Sequence, residues 1–185
     1  MKKTTLIIIL AIVVLVGIYI WSSYNGFINK SAAIDNQWAN VQAVYQRRFD
    51  LIPNLVASVQ GELKQEQAVF LAIAEARTRY AGAQNVDEKA AAAGQVETAL
   101  GRLLVVMENY PQLQSSQAIQ QLMAQLEGTE NRISVERQRF NDAVKNFNVS
   151  TQRFPSNIIA GLFGFHGRAY FEATQGAENA PKVNL

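Results

Sequence analysis

An unbroken apolar run, LIIILAIVVLVGIYIW, occupies Leu6 to Trp21, preceded only by Thr4, Thr5 and the basic pair Lys2-Lys3. No charged residue occurs from Thr4 through Asn29. As a helix that window spans roughly 39 Å, more than the ~30 Å hydrocarbon core of a bilayer. The environment is therefore constrained before the fold is. The remaining ~160 residues are expected to form a domain held beside a membrane.

A cleaved secretory signal is the rival reading of the run. Cleavage needs small residues at the first and third positions before the cut, and around Ser22 and Ser23 the third position falls on Ile20 or Trp21. Tyr19, Trp21 and Tyr24 cluster at the distal end, where amphipathic rings settle among headgroups. An uncleaved signal-anchor over residues 1–24 is expected. Lys2 and Lys3 face only Lys30 across the run, so the positive-inside rule puts the N-terminus in the cytoplasm and the domain outside, periplasmic or extracellular.

The chain has no Cys, which removes disulfides, thiolate metal sites and cysteine nucleophiles together. Its net charge of +2 equals the contribution of Lys2 and Lys3, leaving a neutral domain without a basic stripe. Nucleic acid is not an expected partner.

Beyond the anchor the periodicity is helical. Tyr24, Ile28, Ser31, Ile34, Trp38, Val41, Tyr45, Arg48 and Ile52 step by three and four along one face. Asn25-Gly26 is a candidate joint, and Pro53 is expected to end this helix and open the next. A second run follows through Leu55, Val59, Leu63, Phe70, Ile73 and Tyr80, with Gly82 as its cap. Asn85 with Glu88 resembles a capping box ahead of a third helix, which carries Leu103 and Met107 and stops near Tyr110-Pro111. The last helix, from Ser116 to Arg153, has the cleanest spacing, through Leu122, Leu126, Ile133, Phe140, Val144 and Phe147, a narrow seam of coiled-coil type. These helices predict an all-α chain: an N-terminal transmembrane helix, then an elongated antiparallel four-helix bundle over residues 25–171. Residues 172–185 are expected to form a flexible tail.

Five stretches carry a family resemblance: RRFDLIPNLV (47–56), ENYPQL (108–113), EGTENRI (127–133), RQRFN (137–141) and FPSN (154–157). In order and spacing they resemble the LemA family of bacterial membrane-anchored helical proteins. The resemblance implies an antiparallel four-helix domain behind one transmembrane helix. It carries no catalytic residues over.

Tests for chemistry return little. A di-iron bundle needs paired Glu-x-x-His motifs, and the single His166 follows Phe163 at that spacing. No Gly-x-Ser-x-Gly elbow or phosphate-binding glycine loop occurs. Glu127 with Glu130, and Glu62 with Glu66, are read as solvated carboxylates. Neither metal nor cofactor is expected, and the chain is not expected to be an enzyme.

Interaction candidates remain. Arg132, Arg139 and Arg153 recur at multiples of seven with Asn146 in the row: a solvated stripe, or a docking face for acidic partners or headgroups. Asn141 and Asn148 flank the seam, either fixing register or lying wet beside it. Arg47-Arg48-Phe49-Asp50 reads as a charged turn capped by Asp50. The apolar segment FPSNIIAGLFGF (154–165), with Phe163 and Phe165, is too short to span a bilayer. It is expected to pack on the bundle and also to meet a membrane or a partner. The expected function is a membrane-anchored scaffold or interaction module of the bacterial envelope, binding an envelope or membrane protein of unknown identity. The alternative is a direct lipid-binding or membrane-organising protein, and a homo-oligomer remains open.

Overall fold

The apolar run and the first amphipathic stretch form one helix. In a computed structural model that describes residues 2–63 and 65–171, α1 extends over Lys2–Val59. It is followed by α2 (Gln67–Gly82), α3 (Val86–Met107), the short α4 (Pro111–Gln114), α5 (Gln117–Gln152) and α6 (Ser156–Phe163). The chain is all-α, with no strand among the described residues. The expected tail, 172–185, lies outside the described residues.

Neither expected interruption of α1 occurs. At Asn25-Gly26 the helix continues, and the Asn25 amide donates back to the Trp21 carbonyl at 2.9 Å. Pro53 sits inside the helix with its ring exposed, while Ile52, Leu55 and Val59 are buried on the opposite face. Burying that face outweighs the hydrogen bond a proline removes. The break falls at Gln60-Gly61 instead, where turn residues lead to the fully buried Leu63. Val59 and Leu63 therefore belong to the end of α1 and its turn, and α2 starts later than the periodicity predicts.

Two compact units result. Unit 1 joins the first part of α1, to Asn40, with Gln138–Tyr170. Its interior is Phe27 and Ile34 from α1, Phe140, Val144 and Phe147 from α5, and Ile159 and Ala160 from α6. Trp38 is half-buried and tilts on Phe140 at 5.6 Å between ring centroids. Phe27 meets Phe147 edge-on at 6.3 Å. The two helices run antiparallel here.

Unit 2 holds Val41–Arg137 and Phe171 among its described residues. Its core takes Val41, Tyr45, Ile52 and Leu55 from α1, Ile73 and Tyr80 from α2, Val96 and Leu103 from α3, and Leu126 and Ile133 from α5. Phe70 and Leu122, expected in the core, are half-buried. The alanine-rich start of α3 buries Ala92, Ala93 and Gly94. Asn85 caps that helix by accepting from the Glu88 N–H at 2.8 Å, but Glu88 returns its bond to the Gln84 N–H rather than to Asn85. Those backbone and side-chain bonds hold the Glu88 carboxyl below its ordinary pKa. Gly82 is the last residue of α2, and Ala83, not a glycine, occupies the cap position.

Candidate functional site

The heptad-like row on α1 puts Arg48 in the same register as Val41, Tyr45 and Ile52, so the helix carries a guanidinium into the interior of unit 2. Arg48 is 8% exposed. Its Nη1 bonds the Glu130 carboxylate of α5 and lies 3.9 Å from Glu97 of α3. The expected charged turn at this place does not exist. Asp50 caps nothing and accepts instead from Gln46 at 2.8 Å within the helix. Glu130, read from sequence as a solvated carboxylate, is an ion-pair partner.

The cluster is incompletely satisfied. Arg48 Nε and Glu97 Oε1 are buried without hydrogen-bond partners, as are the hydroxyls of Tyr45 and Tyr80. Burial pushes the Glu97 carboxyl above its ordinary pKa, and Glu130 adds to that. Arg48 and Arg137 pull it down, as does the facing Tyr45 hydroxyl, which does not close a hydrogen bond. Desolvation likewise raises Tyr45, and raises Tyr80 to about 12. A carboxyl with a raised folded pKa adds stability below its unfolded pKa and loses it as pH climbs through the folded value. The stability that Glu97 contributes should therefore decline as pH rises above about 4.5, the ordinary carboxyl value. Glu97→Gln should flatten that slope in melts across the range; an unchanged slope would show that Glu97 titrates as it does in the unfolded chain.

Beside the cluster opens a cavity of about 730 Å³, within the range of small-ligand and side-chain pockets. Leu100, Leu104, Met107, Ile119, Met123 and Leu126 supply apolar walls, and Glu108, Glu127 and Glu130 supply carboxylates. Arg48, the single basic residue among those lining it, is already engaged by Glu130. The arrangement suits an apolar group with a positively charged end. It contains no nucleophile held against a base.

The sequence-derived candidates fall in different places. Arg132 is exposed and belongs to unit 2, whereas Arg139 and Arg153 are exposed in unit 1, so the row of arginines is not gathered within one unit. Arg153 and Asn146 line a second cavity, of about 780 Å³, with Lys30 and Lys145. Phe163 and Phe165 are brought together on α1: Phe163 meets Tyr24 at 5.0 Å, and Phe165 meets Tyr24 at 5.7 Å and Phe27 at 4.9 Å. Asn148 does not bridge helices. Its amide donates to the Arg168 carbonyl and accepts from the Arg168 N–H, at 2.9 and 2.8 Å, clamping the segment after α6. His166 is exposed.

The comparison with known proteins gives this arrangement a lineage. A model of the LemA family matches residues 37–185. The chain belongs to the LemA family. Among curated proteins this LemA-family chain is 26% identical to magnetosome proteins MamQ 1 and MamQ 2 of Paramagnetospirillum magneticum, and 25% identical to magnetosome protein MamQ of Magnetospirillum gryphiswaldense. Each match covers 80% of the chain and 64% of the relative, so the chain spans somewhat less than two thirds of the length of these relatives. The matched region of the family begins at Gln37, after the apolar run. From Leu6 to Ile18 the large apolar side chains of α1 are all more than half exposed along a stretch long enough to cross a bilayer, and together with the magnetosome relatives this makes the LemA-family protein membrane-associated.

Proposed function

We propose that the protein is a single-pass, membrane-anchored interaction module of the bacterial envelope, without catalytic activity of its own. Its N-terminus is cytoplasmic and its helical domain lies on the far side of the membrane. The observation that carries the reading is α1 itself: one helix supplies a bare apolar stretch long enough to cross a bilayer and, further on, the buried row that builds the helical domain. Family membership and the likeness to the magnetosome proteins support the membrane-associated part. The partner-binding part rests on the cavity of unit 2, whose apolar walls and carboxylates match a protein segment pairing large apolar side chains with Lys or Arg.

One membrane preparation tests both parts. A photo-crosslinking residue at Ala124, exposed on the cavity wall, should capture a discrete protein partner, and Glu127→Lys should abolish that adduct. Intact mass should retain residues 1–24, and protease added to spheroplasts should degrade the domain. A crosslink indifferent to Glu127→Lys sinks the cavity as the docking place. A mature chain starting near Ser22 sinks the anchor, and a protected domain sinks the orientation.

A further inference from the structure

We propose that α6 is an interfacial helix, lying flat on the bilayer beside the exit of α1 and burying Phe154, Ile158 and Leu162 among lipid. The inference rests on the membrane-spanning reading of α1 and adds a second lipid-binding site to it. Counted from Thr5, the ~20 residues needed to cross the hydrocarbon end at Tyr24. Tyr24 is the residue on which Phe163, the last residue of α6, is packed. At the other end of α6, Ser156 lines one cavity with Ser23, Gly26 and Phe27. That cavity reaches on to Lys30 and Ala33, so the start of α6 lies beside the Ser23–Ala33 stretch of α1 and its end beside Tyr24. A helix of 8 residues is about 12 Å long, so all of α6 stays close to the exit of the spanning stretch. A short apolar helix held at the exit of a spanning helix is at the depth of the headgroup and acyl boundary.

The exposed face has the right chemistry. Ile159 and Ala160 turn into unit 1, whereas Ile158 and Leu162, four apart on α6, are 63% and 73% exposed, and Phe154, in the turn before the helix, is 76% exposed. In the antiparallel hairpin of unit 1, α5 approaches the apolar run as Phe140 packs on Trp38 and then Phe147 on Phe27. From Ala143 to Phe171 the chain contains no acidic residue. Lys30, Lys145 and Arg153 line the neighbouring cavity, and Arg168 reaches Ser31 at 3.1 Å, a basic rim suited to phosphate headgroups. Gly164 ends the helix in a left-handed conformation (φ 74°), which turns Phe165 back onto Phe27 and leaves the outward stripe short and flat.

The absence of native cysteine allows single nitroxide labels in the full-length protein, reconstituted in phosphatidylethanolamine–phosphatidylglycerol vesicles. Ile158→Cys and Leu162→Cys should show high oxygen and low nickel-chelate collision rates, as Leu15→Cys in the anchor does, with Gln121→Cys showing the reverse. Wild-type protein in vesicles containing a diazirine-acyl lipid gives a readout free of any variant. The tryptic peptide Phe154–Arg168 should carry lipid adducts. Aqueous signals at both labels, or adducts on the anchor with none on that peptide, overturn the proposal. Labels that are aqueous in lipid alone but immobilised in native membranes also overturn it, assigning the face to a protein. None of these outcomes depends on the Ala124 crosslink, so failure here is distinguishable from failure of the cavity reading.

Discussion

Arg48→Ala is expected to cost the protein about 3 kcal/mol of folding stability, the lower end of what stranding one side of a buried ion pair removes. The low end applies because Glu130 is 46% exposed at its side chain and regains water, while Glu97, at 24%, regains much less. In a chain of this length the loss corresponds to a melting temperature about 6–12 °C lower, read by circular dichroism on detergent-solubilised protein. Arg48→Met combined with Glu97→Gln should recover much of the loss, because the cluster then has no uncompensated charge facing the interior. If Arg48→Ala melts within a degree or two of wild type, the ion pair does not operate in the folded protein.

Phe147→Ala should be at least as damaging, by about 3–5 kcal/mol. The ring is 2% exposed and touches Phe27 and Phe165 edge-on, at 6.3 and 6.5 Å between centroids. Each such aromatic pair adds to the loss of buried area. The variant should also lose the seat of Phe165, so trypsin cleavage after Arg153 and Arg168 should accelerate. Unchanged melting and unchanged cleavage together would mean that unit 1 is not packed around this ring.

The helical class, the apolar run and most of the seam were legible because periodicity reports which face is buried. Leu126, Ile133, Phe140, Val144 and Phe147 are all buried as their spacing predicts. The joints expected within α1 were not there to be read, although those at Asn85, Tyr110-Pro111 and Phe154-Pro155 fall where predicted. Gly26 and Pro53 carry local preferences against helix, but at Pro53 the row on either side is continuous and its burial decides, and at Gly26 the apolar run passes directly into the buried row that begins at Phe27. The charged cluster was missed for a related reason. Arg48 stood in the apolar register and was still read by its neighbours Arg47 and Asp50, which are exposed. A charge at a core position calls for opposite charge on other helices. Glu97 between Val96 and Leu100, and Glu130 beside Thr129 and Ile133, were visible candidates for it. The seating of Phe163 and Phe165 on Tyr24 and Phe27 left no trace in spacing, since it depends on contacts between residues far apart in the chain.

Those contacts set an order of assembly. Tyr24 and Phe27 are among the first residues made after the apolar run, and their partners Phe163 and Phe165 come more than 130 residues later. Ser31 waits for Arg168 across a separation of 137 residues. Residues 41–137 can gather around their own interior while the ribosome still holds the rest, but unit 1 cannot close until the C-terminal part of the chain has emerged. A chain cut short anywhere before Phe163 thus keeps its greasy foot in the membrane while leaving aromatic rings uncovered beside it.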